Sequence, residues 1–390
     1  MNFSMFVPTR VLFGAGELNN LHSQPMPGKK ALLLISNGKS AKESGALRRT
    51  EEQLRSAGVD YAIFNKIAAN PVKTVVMEGG AFARENGCDF IVALGGGSVL
   101  DASKAIAAVA TNPGDLWDYI IGGTGKGNSL INAPLPIIAI TTTAGTGSEV
   151  DAYGVITNEK THEKIGFGGD IRLFPVLSIV DPELMLTVPP IFTAYQGFDA
   201  LFHSVECYIS KFANLASDMV SLTAIQNVAE NLPAAVKNGT DIETRTKVAF
   251  ANTMSGYAMV YGSTSSQHSL EHAMSAFHGD LPHGAGLIML SISYFTHAIE
   301  KHSCDERFIT MAQTMGIADA NEPMDFIKAL TKLQQDCGVA GLKMSDYGIL
   351  PAEFEMLAVN AKETMGGLFE CDRSPLSITD CIAIYQKAYR

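Results

Sequence analysis

The sequence predicts an α/β layered domain followed by an all-helical one, and three features carry that expectation. Short apolar runs alternate with helix-period segments through the first half, strand-like runs nearly vanish after Pro182, and a turn made only of glycines joins one apolar run to an alanine-rich helix. "ALLLIS" (31–36), "YAIFNKI" (61–67), "FIVAL" (90–94), "PIIAITTT" (136–143) and "VLSIVD" (176–181) are continuous, rich in β-branched residues and bounded by turn residues. Parallel strands buried on both faces have that texture. "VKTVVMEGGAFARENG" (72–87) between two of them has helical spacing and closes on Asn-Gly, a common helix end. The expected domains are residues 1–182 and 183–390. In the second, Leu222, Ile225, Ala229 and Leu232 repeat at helical spacing, as do Phe326, Leu330, Leu333 and Cys337. "SITD" (377–380) reads as a helix start with Ser377 as N-cap.

Composition narrows the function. The 390 residues carry a net charge of −11, which on average repels nucleic acid and anionic membrane surfaces. No run of about 18 apolar residues suggests a membrane span. Six cysteines are scattered without a C-x-x-C pair, and the start lacks a basic region leading into an apolar core. A cytoplasmic protein is expected on both counts.

The glycine turn is Gly95-Gly96-Gly97, running into Ser98 and a helix that holds Asp101. Free backbone N–H groups at a helix start attract anions, and glycine lets a diphosphate approach the main chain. A tight structural connection would use the same residues, and the G-x-G-x-x-G fingerprint is absent. "TTTAGTGSEV" (141–150) places hydroxyls at the carboxyl end of a strand, where open α/β sheets bind ligands; a simple hydroxyl-rich turn is the alternative. "GGTGKGNS" (122–129) fails as a phosphate loop because Gly127 follows Lys126, and it reads as a flexible loop.

Four of the nine histidines fall between His268 and His283. Asp199 and His203 stand four apart after "VPP", on one face of a helix opened by proline, and His268 and His272 repeat the step. One carboxylate with three imidazoles suits Fe2+ or Zn2+ and leaves room for a substrate oxygen. A structural polar core and a metal-free acid/base site are the competing readings.

Taken in order, "GGGSVLDASKAIA", "TTTAGTGSEV", "GFDALFHSVE" and "EHAMSAFHGDLPHGAG", with "PTRVLFGAGEL" at the start, resemble the iron-containing (group III) alcohol dehydrogenase family over essentially the whole chain. The resemblance implies a Rossmann-like N-terminal dinucleotide-binding domain and a helical C-terminal domain of dehydroquinate synthase-like architecture, with the active site between them. It implies Asp199, His203, His268 and His283 as metal ligands. Gly96, Gly97 and Ser98 would cradle the cofactor diphosphate with Asp101 capping or orienting that turn, Thr141, Thr142 and Thr146 would flank ribose and nicotinamide, and Lys164 would approach the cofactor. His272 would stand beside the metal as a proton relay. Fifteen residues separate His268 from His283, apparently one more than in relatives, so His278 competes as a ligand. The "PHG" context favours His283, leaving His278 for the substrate or nicotinamide side.

The implied activity is reversible hydride transfer between a small primary alcohol or diol, or its aldehyde, and a nicotinamide cofactor. The resemblance suggests an acidic residue soon after the first strand in NAD-preferring relatives; Asn37, Gly38, Lys39 and Ser40 stand here instead, which favours NADP(H) over NAD(H). A homodimer or higher homo-oligomer is expected. The rival is a lyase or cyclase of the dehydroquinate synthase type, disfavoured because residues 195–206 and 265–286 contain no Lys or Arg for an anionic substrate. A non-catalytic nucleotide-binding protein would leave the Asp-His-His-His set unused.

Overall fold

A computed structural model of the chain describes residues 3–390. It divides into two compact units, one spanning Phe6–Val188 and the other built on Pro189–Arg390.

The first unit is an open sheet flanked by helices. Its strands are β1 (Arg10–Phe13), β2 (Lys30–Ser36), β3 (Asp60–Ile67), β4 (Phe90–Gly95), β5 (Ile137–Thr141), β6 (Tyr153–Asn158), β7 (Glu163–Gly168) and β8 (Leu177–Val180), and its helices are α1 (Ser40–Glu43), α2 (Ala46–Ser56), α3 (Lys73–Glu85) and α4 (Gly97–Thr111). Six strands pair in parallel in the order β1-β8-β5-β4-β2-β3. The chain passes from β2 outward to β3, returns to β4 and then builds the other way through β5, so strand order reverses between β2 and β4. That reversal is where doubly wound sheets open a crevice beyond their carboxyl ends. Ala31, Leu33 and Ile35 of β2, Val92 and Leu94 of β4 and Ile138 and Ile140 of β5 are all buried in one apolar cluster, as the uninterrupted apolar runs require.

Three local outcomes differ from the sequence reading. β3 buries fully only Phe64 and Ile67, because it is the edge strand of the sheet. β6 and β7 form a separate antiparallel pair that no apolar run announced. The 122–129 segment is anchored, not flexible: Thr124 donates from its backbone N and its Oγ1, both at 2.6 Å, to Glu163, and Lys126 pairs with Asp118 at 2.6 Å. Burial pushes the Glu163 carboxyl up, yet its hydrogen bonds from Thr124, Thr161 and Trp117 hold it low overall.

The second unit consists of helices, with no strand among its described residues: α5 (Pro190–Ile209), α6 (Leu215–Lys237), α7 (Ile242–Tyr261), α8 (Ser266–Phe277), α9 (His283–Glu300), α10 (Asp305–Thr314), α11 (Met324–Asp336), α12 (Phe354–Cys371) and α13 (Ile378–Ala388). α5 begins on Pro190, whose fixed φ suits a first helical position and whose missing N–H costs nothing there. It is buried nearly all round, as a central helix must be when its neighbours cover every face. Ser377 and Asp380 form the expected capping box at the start of α13.

Candidate active site

On the sheet side, the residues singled out cluster at the carboxyl ends of three adjacent strands. Asn37–Ser40 follow β2 and are exposed, Gly96 and Gly97 follow β4 into α4, and Thr141 ends β5, one pair beyond Leu94↔Ile140. A Cβ on Gly96 would meet Thr143 Oγ1 at 2.9 Å, and one on Gly97 would meet Thr146 Cγ2 at 2.3 Å. The turn is therefore glycine because the threonine loop lies against it, and the same bareness exposes the α4 N-terminus with its unsatisfied N–H groups. Thr141 donates its buried hydroxyl to the Thr143 carbonyl at 3.0 Å, and Thr146 Oγ1 accepts from Ser148 N at 3.3 Å, so both help to hold their own loop.

Asp101 does not cap the glycine turn. Its carboxylate accepts from Ser148 Oγ at 2.7 Å and from Val155 N at 2.9 Å, which ties α4 to the 148–155 segment. Burial raises its carboxyl to about 6 against the pull of Lys104 and these hydrogen bonds. Lys104, fully buried beside it, is spent on Ser148, Asp151 at 2.6 Å and the Tyr153 carbonyl. Lys164 is buried on β7 opposite Thr157.

On the helical side, α5 carries Asp199 and His203 one turn apart, α8 carries His268 and His272 one turn apart, and α9 opens on His283. Asp199 Oδ1 lies 3.6 Å from His203 Nδ1, 3.7 Å from His268 Nε2 and 3.5 Å from His283 Nε2. Asp199, His268 and His283 each offer a ligand atom within 4.8 Å of the other two. His203 joins through Asp199 and stacks on His268 with ring centroids 4.4 Å apart. It is outside the tight triplet. His272 belongs to a second, overlapping group with Glu271 and His283, and its Nδ1 contacts Met365 Sδ at 2.8 Å. His278 is in neither group; its Nε2 pairs with Glu353 at 3.1 Å.

The triplet fits a divalent cation. Asp199 Oδ1 and His268 Nε2 are buried without a hydrogen-bond partner, a costly arrangement unless something shared satisfies both. Separations of 3.5–3.7 Å are too long for strong hydrogen bonds between these atoms. They are close to the edge of a tetrahedron whose ligands stand about 2.0–2.2 Å from the centre, roughly 3.4 Å. Burial alone would raise the Asp199 carboxyl, but His203, His283 and His268 hold it well below the usual carboxylate range. Burial lowers His268, and Glu206 and Asp199 overcome that to lift it to about 10. Charges that hold a proton so firmly would also attract a cation in its place.

Two carboxylates given no role in the sequence reading complete this geometry. Glu206 accepts from His268 Nδ1 at 2.5 Å, and Glu271 pairs with His283 Nδ1. Each turns the other ring nitrogen of its histidine toward Asp199, as carboxylates behind metal-binding imidazoles do. Both stand three residues after a histidine already singled out, in "HSVE" and "HSLE", and that repeat was the available signal. Two glycines make room. A Cβ on Gly284 would meet the Tyr195 carbonyl oxygen at 2.2 Å, so its absence lets the first turn of α9 press on α5; a Cβ on Gly286 would meet Glu271 Cγ at 2.7 Å.

Residues 8–182 match the iron-containing alcohol dehydrogenase family and residues 193–389 match that family's C-terminal domain. The chain belongs to the iron-containing alcohol dehydrogenase family. Within it, the chain is 34% identical over 400 residues to 1,3-propanediol dehydrogenase of Klebsiella pneumoniae, covering 100% of both chains. NAD-dependent methanol dehydrogenase of Bacillus methanolicus is 33% identical over 368 residues, 92% of this chain and 93% of that one. Among solved structures, an archaeal alcohol dehydrogenase from a Red Sea brine pool superposes with a TM-score of 0.94 at 32% identity, covering 100% of this chain and 99% of that one. A 1,3-propanediol oxidoreductase superposes with a TM-score of 0.90 at 34% identity over 100% of both. As a member of this family the chain is an alcohol dehydrogenase with the dehydroquinate synthase-like fold, and the lyase alternative loses its footing. No described helix is long and apolar enough to cross a membrane.

Proposed function

We propose that Asp199, His203, His268 and His283 hold Fe2+ or Zn2+, that Gly96, Gly97 and Ser98 receive the diphosphate of a nicotinamide dinucleotide, and that the chain interconverts a small primary alcohol or diol and its aldehyde. The observation that carries this reading is the approach of His268 Nε2 and His283 Nε2 to one buried oxygen of Asp199. A divalent ion bound there supplies Lewis acidity toward the substrate oxygen.

The chain's own residues do the rest. Glu206 and Glu271 fix ring orientation and tautomer for His268 and His283. His272, with its Nδ1 against Met365 Sδ and its ring 5.3 Å from that of His283, is the residue we assign to take the alcohol proton away. His278, paired with Glu353, serves the substrate or nicotinamide side without joining the metal set. Thr142 and Thr146 flank the ribose and nicotinamide, and Lys164 supports the cofactor from β7. A compact alcohol is consistent with relatives named for 1,3-propanediol and methanol.

NADP(H) is favoured. Asn37–Ser40 present amide, hydroxyl and one ammonium beyond β2, with no carboxylate to repel a 2′-phosphate. Relatives described as NAD- or NADH-dependent set the opposing expectation. Initial rates with each cofactor decide it, and Asn37→Asp should lower kcat/KM for NADPH about tenfold or more while sparing NADH. Six unpaired thiols suit the reducing cytosol, and sedimentation tests the proposed homodimer.

The central test is His268→Ala in anaerobically purified protein. Metal content and alcohol oxidation should be lost together; full turnover in a metal-free variant would remove this reading.

A further inference from the structure

Behind Glu206, the partner of His268, runs a chain of buried hydrogen bonds that the alcohol dehydrogenase reading leaves unused. Glu206 Oε1 accepts from His268 Nδ1 at 2.5 Å, while its Oε2 accepts from Ser265 N at 2.7 Å and from Ser265 Oγ at 3.0 Å. Ser265 Oγ also lies 3.0 Å from Tyr294 Oη, and Ser266 Oγ lies 3.2 Å from it. Tyr294 donates to Asp372 Oδ1 at 2.9 Å, and Ser266 N reaches the same oxygen at 3.4 Å. All of these residues are buried, and α5, α8, α9 and the end of α12 each contribute. Asp372 Oδ2 has no hydrogen-bond partner among the described residues, and Asp372 lines a small cavity of about 30 Å3 shared with Tyr294, His297, Cys304 and Arg373.

Counting protons gives the chain a direction. A tyrosine or serine hydroxyl has one proton to donate. With Asp372 ionised, Tyr294 spends its proton there, and its oxygen becomes an acceptor for the serine hydroxyls. Ser265 is then shared between Tyr294 and Glu206, which sets how fully Glu206 is available to the His268 ring. Without Asp372, Tyr294 would turn to donate to Ser265, and Ser265 would send its own proton to Glu206. A carboxylate four links away thereby adjusts the basicity and aim of a metal-facing imidazole.

We propose that Tyr294 and Asp372 are positioning residues for His268, acting through Ser265 and Glu206. This rests on His268 being a metal ligand. Neither residue touches the reacting atoms; their contribution is to metal affinity and to the ligand field.

The test uses Tyr294→Phe, which keeps the ring and removes only the hydroxyl, Asp372→Asn, and the double variant. Metal-free full-length protein is titrated with Co2+ while the visible ligand-field bands are recorded, affinity is measured by competition with a chelator, and the thermal midpoint of each metal-free variant is compared. The positioning role requires affinity to fall about tenfold or more in both single variants, with displaced Co2+ bands. It also requires metal-free midpoints no lower than the parent's and a double variant no weaker than the worse single one, because one substitution cuts the chain and the other removes the charge at its end. Unchanged affinity and bands in Tyr294→Phe and Asp372→Asn overturn it, as does a loss of affinity matched by a fall in the metal-free midpoint. His268→Ala separates the two levels: if it abolishes Co2+ binding while Tyr294→Phe does not alter it, only the positioning role fails; if it binds Co2+ as the parent does, the ligand assignment fails with it.

Discussion

At the scale of single residues, the informative groups are those whose environment opposes their chemistry. A carboxylate at a fully buried helix position is rare unless paired, and Glu206 and Glu271 are both fully buried. Each is paired with the Nδ1 of a histidine whose Nε2 faces Asp199. Replacing Glu271 with Gln keeps size and a hydrogen-bonding atom but removes the charge behind His283; metal affinity should fall by about 10- to 100-fold, measured by chelator competition, with little change in the far-ultraviolet spectrum. Equal affinity in parent and variant would mean that the contact is incidental. The pairing of Asp199 with His203 and of His268 with His272 was legible in the sequence, because i, i+4 spacing reports a shared helix face directly. The carboxylates behind them were not, since a glutamate in "HSVE" looks the same whether it faces water or a buried imidazole. Only the packing of α5 against α8 and of α8 against α9 distinguishes the two cases.

At the scale of elements, helix spacing decides whether the site exists. His283 opens α9 and Asp199 sits within α5, so their 3.5 Å approach depends on how closely those helices meet. Gly284 sets that closeness, because any Cβ there would fall 2.2 Å from the Tyr195 carbonyl oxygen. Backbone cannot swing aside as a flexible side chain can. Gly284→Ala should therefore push the start of α9 off α5, destabilise by roughly 1–3 kcal/mol as overpacking does, and weaken metal binding more than Gly→Ala at a helix position normally would. Denaturant midpoints and Co2+ titration of the same sample check it, and an unchanged Co2+ affinity would show that the approach of α9 does not govern His283. The strands and long helices could be read from period and run length, as with "FIVAL" and the 222–232 stretch. The β6–β7 pair and the anchored 122–129 segment could not. The 122–129 segment is held by one carboxylate, Glu163 on β7, reaching Thr124 across 39 positions of sequence, and local pattern holds no trace of such a contact.

At the scale of the whole molecule, the fold retains buried acids that cost it stability, and that cost has a defined pH window. Burial raises the Asp372 carboxyl to about 6 despite hydrogen bonds from Ser266 and Tyr294, with Glu206 adding to the rise. Around it stand Glu206 from α5, Tyr294 and His297 from α9, Cys304 before α10, Cys371 at the end of α12, and Arg373, whose guanidinium is engaged by the Ile209 and Ser210 carbonyls. An acid whose folded pKa lies above its unfolded value binds more protons folded than unfolded between the two, so stability falls as pH rises through that window. Here the window opens near the ordinary aspartate value of 3.8 and closes near 6, and above it the full penalty applies. A shift of that size corresponds to at most about 3 kcal/mol. Asp372→Asn should therefore match the parent in urea stability near pH 4 and gain progressively toward pH 8 in metal-free protein, by up to that amount. The sign is opposite to that of a salt-bridged surface aspartate, whose removal costs stability at neutral pH. A difference that stays constant with pH would mean the ionised carboxylate carries no penalty. If the gain appears while the same substitution weakens Co2+ binding, one residue trades folding stability for the setting of a metal ligand, as buried charges kept for function do.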